Sequence, residues 1–555
     1  MPAGRFTARL AAALFAAALC GCSALQGVYL PVENTPLKGP QAIGDTRCEA
    51  PQDPKSPPPP YTLTDLRDCT AEDTLVVFAF SGGGIRSASF GYGVLQAAHA
   101  TTIPDGASGH SFDRDIDIVS GVSGGSFTAA AFASRRQRLF PASGAPDYYR
   151  DNFLTHDFNA DILAIYFEPW HWQWLFPDYG TNDEMAKVYA DVDFSSPQDK
   201  LFDKSFGDLA RKGRPLLIVQ ATDYGNEQPF TFTQNDFDLI CSDISSYPLG
   251  NAIAASSAFP ILFSPIRLTN HHHGAPGDYC ATHRPAWIDT VLGKPEPADL
   301  SRLYSRARVA AGYLRQPNED GQQPLDRALN SPRYVFLQDG GVSDNVALRG
   351  LTNLVVKDID DTDTGKPEWN RAAAARACSI GLDKVRRILV VAVDGEAQPN
   401  NQIATLPYLR DIGLILDITS SAAIDANGFE TMLSTDAFTR KAAAKLEALP
   451  CNGSVPPGRV VTPYFAHVSF QDLDQDKGLA ASACGKSKGD CSLGEVARSG
   501  TSLAFSRPEV DTLIDAGKSA FRCNRKIRQF LRDMHTPLPQ GGSLDCRNKA
   551  PDPDG

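Results

Sequence analysis

The fold of this 555-residue chain is decided by the stretch Asp115-Ile116-Asp117-Ile118-Val119-Ser120-Gly121-Val122-Ser123-Gly124-Gly125. Its first five residues have the apolar pattern of a short β-strand, and residues 126–133, which follow it, have the composition of a helix. A Gly-x-Ser-x-Gly turn between a strand and a helix is a nucleophile elbow, in which a sharp turn exposes the serine hydroxyl. The flanking glycines keep other atoms away from that hydroxyl. Ser123 is therefore a candidate nucleophile.

Other apolar runs have the same length and character as the strand before Ser123. They cover residues 75–80, 215–219, 334–337 and 388–393. Continuous apolar strands separated by helical stretches predict an α/β fold with a mostly parallel central sheet that is sandwiched by helices. A C-terminal helical extension is predicted to follow, with helices over residues 411–449, broken near residues 427–428, and over residues 508–521.

A glycine-rich loop, Ser81-Gly82-Gly83-Gly84-Ile85-Arg86-Ser87, stands about forty residues before Ser123. Consecutive backbone N–H groups near a helix N-terminus favour negative charge. The loop lacks the Lys-Ser/Thr pair of a P-loop and the third glycine of a dinucleotide-binding fingerprint. We expect Gly82, Gly83 and Gly84 to line an oxyanion hole, and Arg86 to support the loop or to meet a substrate phosphate. A purely structural tight turn is the alternative.

The base that activates Ser123 is less obvious, because none of the ten histidines stands out. His467 and His535 follow Ser123 in the order that a Ser-acid-His triad requires in an α/β-hydrolase. Asp339-Gly340-Gly341 directly follows a predicted strand, and an aspartate within hydrogen-bond reach can accept the serine proton. The usual aspartate pKa near 3.9 makes it a weak base, so we expect burial to raise the pKa. A simple turn is the alternative role of this Asp-Gly-Gly.

In this order, residues 81–87, 121–125 and 339–341 resemble the motifs of the patatin-like phospholipases. Residues 254–265 and Asn345 are also similar to that family's pattern, and the resemblance covers residues 74–400 and extends to about 535. It implies a Ser–Asp dyad without histidine, a glycine-rich oxyanion hole and hydrolysis of lipid acyl esters. Carried over by position, Ser123 is the nucleophile and Asp339 the general base. Ser87 departs from the pattern, since many members have glycine there.

The N-terminus has the features of an export signal. Arg5 and Arg9 precede a short apolar core, and Leu19-Cys20-Gly21-Cys22 resembles a bacterial lipobox with Cys22 as the lipidated residue. An ordinary secretory signal is the alternative. We predict a signal peptide over residues 1–22, a proline-rich tether over 23–72, a catalytic domain over 74–535 (core motifs 74–400, extension 401–535) and a flexible tail over 536–555. The expected location is the bacterial cell envelope, with a lipid anchor; a secreted protein is the alternative.

Charge and cysteine content narrow the classes of partner and compartment. The net charge of −12, without a basic stripe, argues against nucleic acid. Ten cysteines remain after the signal, which suggests disulfides in an exported chain, and sequence proximity favours Cys484–Cys491, Cys523–Cys546 and Cys241–Cys280. No cofactor and no metal are predicted, and residues 271–273, three consecutive histidines, are expected to form a solvated loop.

Residues 166–176 hold three of the five tryptophans. Such an aromatic cluster suits a lipid–water interface or an acyl pocket, and packing under a loop is the alternative. The leading hypothesis is a serine acyl hydrolase that acts on membrane or micellar lipid. The alternatives are a Ser-His-Asp esterase of soluble esters and a non-catalytic lipid-binding surface protein.

Overall fold

The computed structural model describes most of the chain between Pro31 and Arg547. The described residues are 31–39, 57–62, 73–104, 109–142, 144–175, 178–260, 262–273, 278–283, 285–293, 302–314, 332–353, 371–379, 381–396, 412–451, 454–455, 457–476, 478–479, 492–498 and 502–547. The predicted signal peptide, Cys22 and the pair Cys484–Cys491 lie outside them.

An eight-stranded sheet forms the centre of the molecule. Its strands are β1 (Thr74–Phe80), β2 (Ile116–Val122), β3 (Leu216–Asp223), β4 (Gln228–Thr231), β5 (Ile266–Thr269), β6 (Tyr334–Asp339), β7 (Arg387–Asp394) and β8 (Thr462–Ser469). The order across the sheet is β5-β6-β3-β2-β1-β7-β8, and β4 pairs with β3. Strands β3, β2, β1, β7 and β8 are neighbours in this order and run parallel to one another. Strands β4, β5 and β6 pair antiparallel with their neighbours. The predicted mostly parallel α/β sheet is confirmed.

Helices flank this sheet. The described α-helices of five or more residues are α1 (Gly84–Ala100), α2 (Gly124–Leu139), α3 (Phe158–Phe167), α4 (Thr181–Asp191), α5 (Phe206–Lys212), α6 (Leu249–Ser256), α7 (Ala286–Leu292), α8 (Arg302–Tyr313), α9 (Arg371–Ser379), α10 (Ile412–Glu447), α11 (Leu493–Ala497), α12 (Arg507–Cys523) and α13 (Arg525–Asp533). The predicted break near Gly428 is wrong, because α10 runs through it. A single glycine costs a helix only about 1 kcal/mol, which neighbouring turns offset. No helix among the described residues is long and apolar enough to cross a membrane.

The C-terminal region belongs to the core rather than forming only a helical extension. Strand β8 completes one edge of the central sheet by pairing with β7. Helix α12 crosses α1 so closely that a Cβ on Gly93 would overlap the carbonyl oxygen of Ile514. The predicted flexible tail over 536–555 is wrong for residues 536–547, because Leu544 is buried and Arg522 donates to the carbonyls of Gly541 and Leu544.

The predicted tether over residues 23–72 also differs from the structure in its two described parts. Residues 35–36 pair with residues 242–243, and the Tyr61 hydroxyl lies in the core, where it donates to the Leu217 carbonyl. These two parts contact the folded domain because they contain apolar side chains between the prolines, and burial of apolar side chains is favourable in free energy.

Three disulfides connect described residues. Cys241–Cys280 and Cys523–Cys546 agree with the sequence-based pairing, while Cys378–Cys451, which closes 73 residues, was not predicted. Sequence proximity cannot find a pair that only the fold brings together. The histidine run is not a solvated loop either: His272 is buried and its ring nitrogens lie 2.9 and 3.1 Å from the carbonyl oxygens of Cys280 and Leu239.

Candidate active site

Ser123 stands between β2 and α2, in a backbone conformation that favours glycine. Its φ is +49° and its ψ −125°, which for a serine is a strained conformation of the kind that clusters at functional sites. The side chain is half-buried, and its hydroxyl donates to Oδ2 of Asp339 at 2.9 Å. The predicted strand–turn–helix elbow therefore forms, and it aims the Ser123 hydroxyl at the predicted aspartate.

Ser256, at the end of α6, holds the elbow from behind. Its hydroxyl accepts the backbone N–H of Ser123 at 2.9 Å and donates to the Gln220 carbonyl at 2.6 Å. The hydroxyl is fully buried, and its two hydrogen bonds connect the backbone that follows β2 to the backbone of the neighbouring strand β3. In the sequence this residue is only one of residues 254–265, and no local pattern indicates its role, because the contact joins positions 133 residues apart.

We expect Ser256→Ala to lower kcat about 10- to 100-fold with little change in KM. Alanine leaves the Ser123 N–H and the Gln220 carbonyl buried without a partner, so the strained elbow relaxes. Steady-state kinetics on a short-chain ester would measure this. Ser257→Ala is the matched control, since the Ser257 hydroxyl bonds to Ile253 and Tyr189 and not to the elbow. Equal kcat in the two variants would contradict the positioning role of Ser256.

Asp339 is the last residue of β6, and β6 runs antiparallel to β3. In a mostly parallel sheet, an aspartate directly after a strand is expected at the carboxyl edge of the sheet. Asp339 does lie at that edge, but on a strand that runs in the opposite direction. Strand β6 comes from the side of the carboxyl ends of the parallel strands and ends where Asp339 pairs with Ala221. Its backbone N–H donates to the Ala258 carbonyl at 3.0 Å, and the Thr222 hydroxyl donates to its carbonyl at 2.8 Å. The backbone of Asp339 is thus held on both sides.

Burial raises the pKa of Asp339 from its usual value near 3.8 to about 6. Two hydrogen bonds oppose this rise: the Gly341 N–H donates to Oδ1 at 2.8 Å and the Ser123 hydroxyl donates to Oδ2. A carboxyl with this pKa is still mostly ionised at pH 7, yet it is a far better proton acceptor than an exposed aspartate. The electrostatics suit a general base.

The glycine-rich loop lies directly against the elbow. A Cβ on Gly124 would overlap the carbonyl oxygen of Gly84 and lie 2.6 Å from its nitrogen, so only glycine permits this approach. The amide of Gly82 is already used, because it donates to the Asn345 carbonyl at 2.9 Å. Among the described residues, the amides of Gly83 and Gly84 meet no hydrogen-bond acceptor. Those two amides are the ones available to a bound group.

Arg86 supports the loop rather than facing a substrate. The side chain is buried, its Nε donates to the Gly395 carbonyl at 3.0 Å, and its charge lies near Asp394. Ser87, the departure from the family pattern, donates to the Ser81 carbonyl at 2.6 Å. The serine therefore fits the first turn of α1.

Neither histidine of the alternative triad hydrogen-bonds to Ser123 in the described structure. His467 lies on β8, with Nε2 2.9 Å from Oδ2 of Asp394. Burial acts to lower the pKa of His467, but the hydrogen bond and charge of Asp394 raise it above the usual value. Asp394 thus stabilises the protonated imidazole, which has no lone pair to accept the Ser123 proton. His535 is exposed beyond the end of α13.

No group of three or more His, Cys, Asp or Glu side chains suited to hold a metal ion occurs among the described residues. The chemistry that the arrangement offers is nucleophilic attack by a hydroxyl, proton transfer to a buried carboxyl, and donation from two backbone amides to a developing negative charge.

A family model described as patatin-like phospholipase matches residues 78–301, which contain the glycine-rich loop and Ser123 but not Asp339. A similar solved structure is human GIVD cytosolic phospholipase A2, with 13% sequence identity and a TM-score of 0.38; the match covers 83% of this chain. The chain spans 60% of the length of that structure. No curated protein matches this chain.

Proposed function

We propose that the protein is a serine acyl hydrolase that cleaves carboxylic esters of phospholipids or lysophospholipids, and the match of residues 78–301 to the patatin-like phospholipase model supports this proposal. The observation that carries the proposal is the 2.9 Å hydrogen bond from Ser123 Oγ to the buried carboxyl of Asp339. A hydroxyl, a base and free amide donors are the three parts that acyl transfer needs.

In the first half of the reaction, Ser123 Oγ attacks the ester carbonyl carbon while its proton passes to Oδ2 of Asp339. The carbonyl oxygen takes the electron pair, and the amides of Gly83 and Gly84 stabilise it. Gly82 serves through its lack of a side chain instead, since its amide is already bonded to Asn345. The carbon–oxygen bond to the alcohol then breaks, and the leaving alkoxide takes the proton from Asp339. An acyl-Ser123 ester remains.

In the second half, water attacks the acyl-Ser123 carbonyl and gives its proton to Asp339. Collapse of the second tetrahedral intermediate breaks the bond to Ser123 Oγ, which recovers the proton, and the fatty acid leaves. Asp339 is therefore neutral only in the intermediates and starts each half as a carboxylate. This cycle requires no cofactor.

We propose further that Cys22 carries a lipid and that the protein acts at the bacterial cell envelope on membrane or micellar lipid. The lipobox-like sequence supports this, and mass spectrometry of the mature N-terminus would test it. The hydrolase itself is tested by incubating the purified protein with a panel of glycerophospholipids, lysophospholipids and triglycerides. Release of fatty acid together with labelling of Ser123 by a fluorophosphonate supports the proposal, and absence of both contradicts it.

The pH dependence of kcat/KM should report the ionisation of Asp339. Only the carboxylate accepts the Ser123 proton, and its pKa is about 6. We therefore expect kcat/KM to be constant above about pH 7 and to fall about tenfold per pH unit well below pH 6. Initial rates on a non-ionising ester would measure the profile. The control is His467→Asn, which should retain this acidic limb; a limb that disappears in that variant would identify His467 as the base.

A further inference from the structure

An exposed apolar patch covers the end of α3 and the short 3₁₀ segment Pro169–Leu175 that follows it. Its members are Leu163, Phe167, Trp170, Trp172 and Leu175, all within thirteen residues, and Phe167, Trp170 and Leu175 are 75%, 68% and 63% exposed. Scattered exposed apolar residues are normal, but a contiguous group of large ones marks an interaction site. This lipid-docking patch, as we name it, is not used in the mechanism above.

The indole groups of this segment present carbon rather than polar atoms to solvent. Trp170 donates its N–H to Glu168 Oε2 at 2.8 Å, and Trp172 donates to the Tyr166 carbonyl at 3.1 Å. Trp174 donates to the Ile165 carbonyl at 3.0 Å and packs inward. Because the N–H donors are satisfied within the segment, the exposed rings can enter an apolar phase without losing a hydrogen bond.

The patch is coupled through packing to the wall of the active site. The Tyr166 hydroxyl donates to the Leu262 carbonyl, six residues after Ser256. The same segment supplies the Ala258 carbonyl, which accepts the backbone N–H of Asp339. Helix α4 also packs on α6, where the Tyr189 hydroxyl meets Ser257. A surface bound at the patch would therefore lie beside the segment that holds both Ser123 and Asp339.

The N-terminal segment reaches the body next to the patch. Arg267 pairs with Asp178 at 2.7 Å and with Glu33 at 3.6 Å. Asp178 stands three residues after Leu175, and Glu33 stands eleven residues after Cys22. Since a chain spans at most about 3.6 Å per residue, the eight residues from Ser23 to Leu30 keep Cys22 within about 30 Å of Pro31. A membrane that holds a lipidated Cys22 is thus within reach of the patch.

We propose that the lipid-docking patch inserts into the surface of a phospholipid bilayer and presents the active-site wall to it. That this phospholipid is also the substrate rests on the proposed function. The net charge of −12 excludes attraction of the whole chain to anionic lipid as the driving force. Insertion of apolar side chains is therefore the main interaction, and it should be insensitive to salt.

The test uses the full-length protein, anchored in phosphatidylcholine vesicles in which a fraction of the lipid carries brominated acyl chains. Bromine quenches tryptophan fluorescence on contact, and three of the five tryptophans lie in the segment. We expect quenching that persists in 0.5 M NaCl. The triple variant Phe167→Ser, Trp170→Ser, Leu175→Ser should lose most of the quenching and hydrolyse vesicle phospholipid at least tenfold more slowly. The matched control, Phe429→Ser with Leu433→Ser on α10, replaces side chains that are 59% and 54% exposed and should change neither.

The outcomes separate the two proposals. Quenching in the wild-type chain without any labelling of Ser123 by a soluble fluorophosphonate supports the patch and overturns the hydrolase. Labelling of Ser123 without quenching overturns the patch alone. A concentration-dependent dimer in sedimentation that the triple variant abolishes would identify a second copy as the occupant, which also overturns the proposal. Unchanged thermal unfolding of the triple variant shows that its losses do not come from misfolding.

Discussion

Ser123→Ala and Asp339→Asn are each expected to lower kcat/KM on a lipid ester by at least about 10³. Alanine removes the nucleophile, and asparagine keeps the shape of Asp339 but has no carboxylate to accept the proton. Because the two side chains act as one unit through their 2.9 Å hydrogen bond, the double variant should lose little more than either single one. Fatty-acid release under single-turnover conditions measures all three variants. Wild-type turnover in either single variant would overturn the dyad.

Two controls separate lost chemistry from lost structure. Ser120→Ala removes a hydroxyl on β2, three residues before Ser123, that accepts from Gln220 Nε2 at 2.8 Å, and this variant should leave the rate nearly unchanged. Asp339→Asn should not destabilise the fold. Burial raises the pKa of this carboxyl to about 6, so its ionised form lowers the free energy of unfolding. The shift of about two pKa units corresponds to about 3 kcal/mol. That cost is absent below about pH 4 and complete above about pH 7. The variant should therefore be more stable than wild type at pH 8, and the difference should vanish at acidic pH.

Gly124→Ala is the substitution expected to have the next largest effect, a loss of kcat of about 10² or more. The added methyl group would overlap the Gly84 carbonyl and crowd its nitrogen, and both atoms belong to the backbone, which cannot turn aside. The elbow and the glycine-rich loop must then separate, so the amides of Gly83 and Gly84 move away from the carbon that Ser123 attacks. A misplacement of about 1 Å is enough for a loss of this size.

Gly39→Ala is the matched control for this substitution. A Cβ at Gly39 meets no atom within 4 Å, and the position does not require a left-handed backbone. The rate of Ser123 labelling by a fluorophosphonate and kcat on a short-chain ester should both fall in the Gly124 variant and stay at the wild-type level in the control. A Gly124→Ala protein with normal kcat would show that the close approach of loop and elbow does not contribute to catalysis.

Much of the site could be anticipated because its parts are local. The strand, turn and helix around Ser123 are contiguous in sequence, and so are the three glycines before α1. The conformation of both segments is determined locally, since strand and helix periodicity and the turn preferences of glycine act over a few residues. Asp339 could be named for a similar reason, as a carboxyl directly after an apolar strand. Its partner could not be inferred from spacing, and its route to the site differed from the expected one.

Non-local contacts account for what was missed. Ser256 was overlooked because its role depends on α6 packing against the ends of β2 and β3. The occupied amide of Gly82 depends on Asn345, 263 residues away. Residues 536–547 were predicted to belong to a flexible tail, yet the disulfide Cys523–Cys546 and the Arg522 hydrogen bonds hold them. The composition of a segment indicates how it behaves in isolation, but it does not indicate which surface of the protein the segment packs against.

Local sequence patterns were enough to identify the candidate groups: a serine on a sharp turn, amides in a glycine run and an aspartate at a strand end, each recognisable from interactions within a few residues. How these groups come together depends on long-range packing. The antiparallel entry of β6 brings Asp339 to Ser123, and the approach of Gly124 to Gly84 brings the free amides to the same point. Burial of the Asp339 carboxyl, which raises its pKa to about 6, is a property of the packed core and not of any segment.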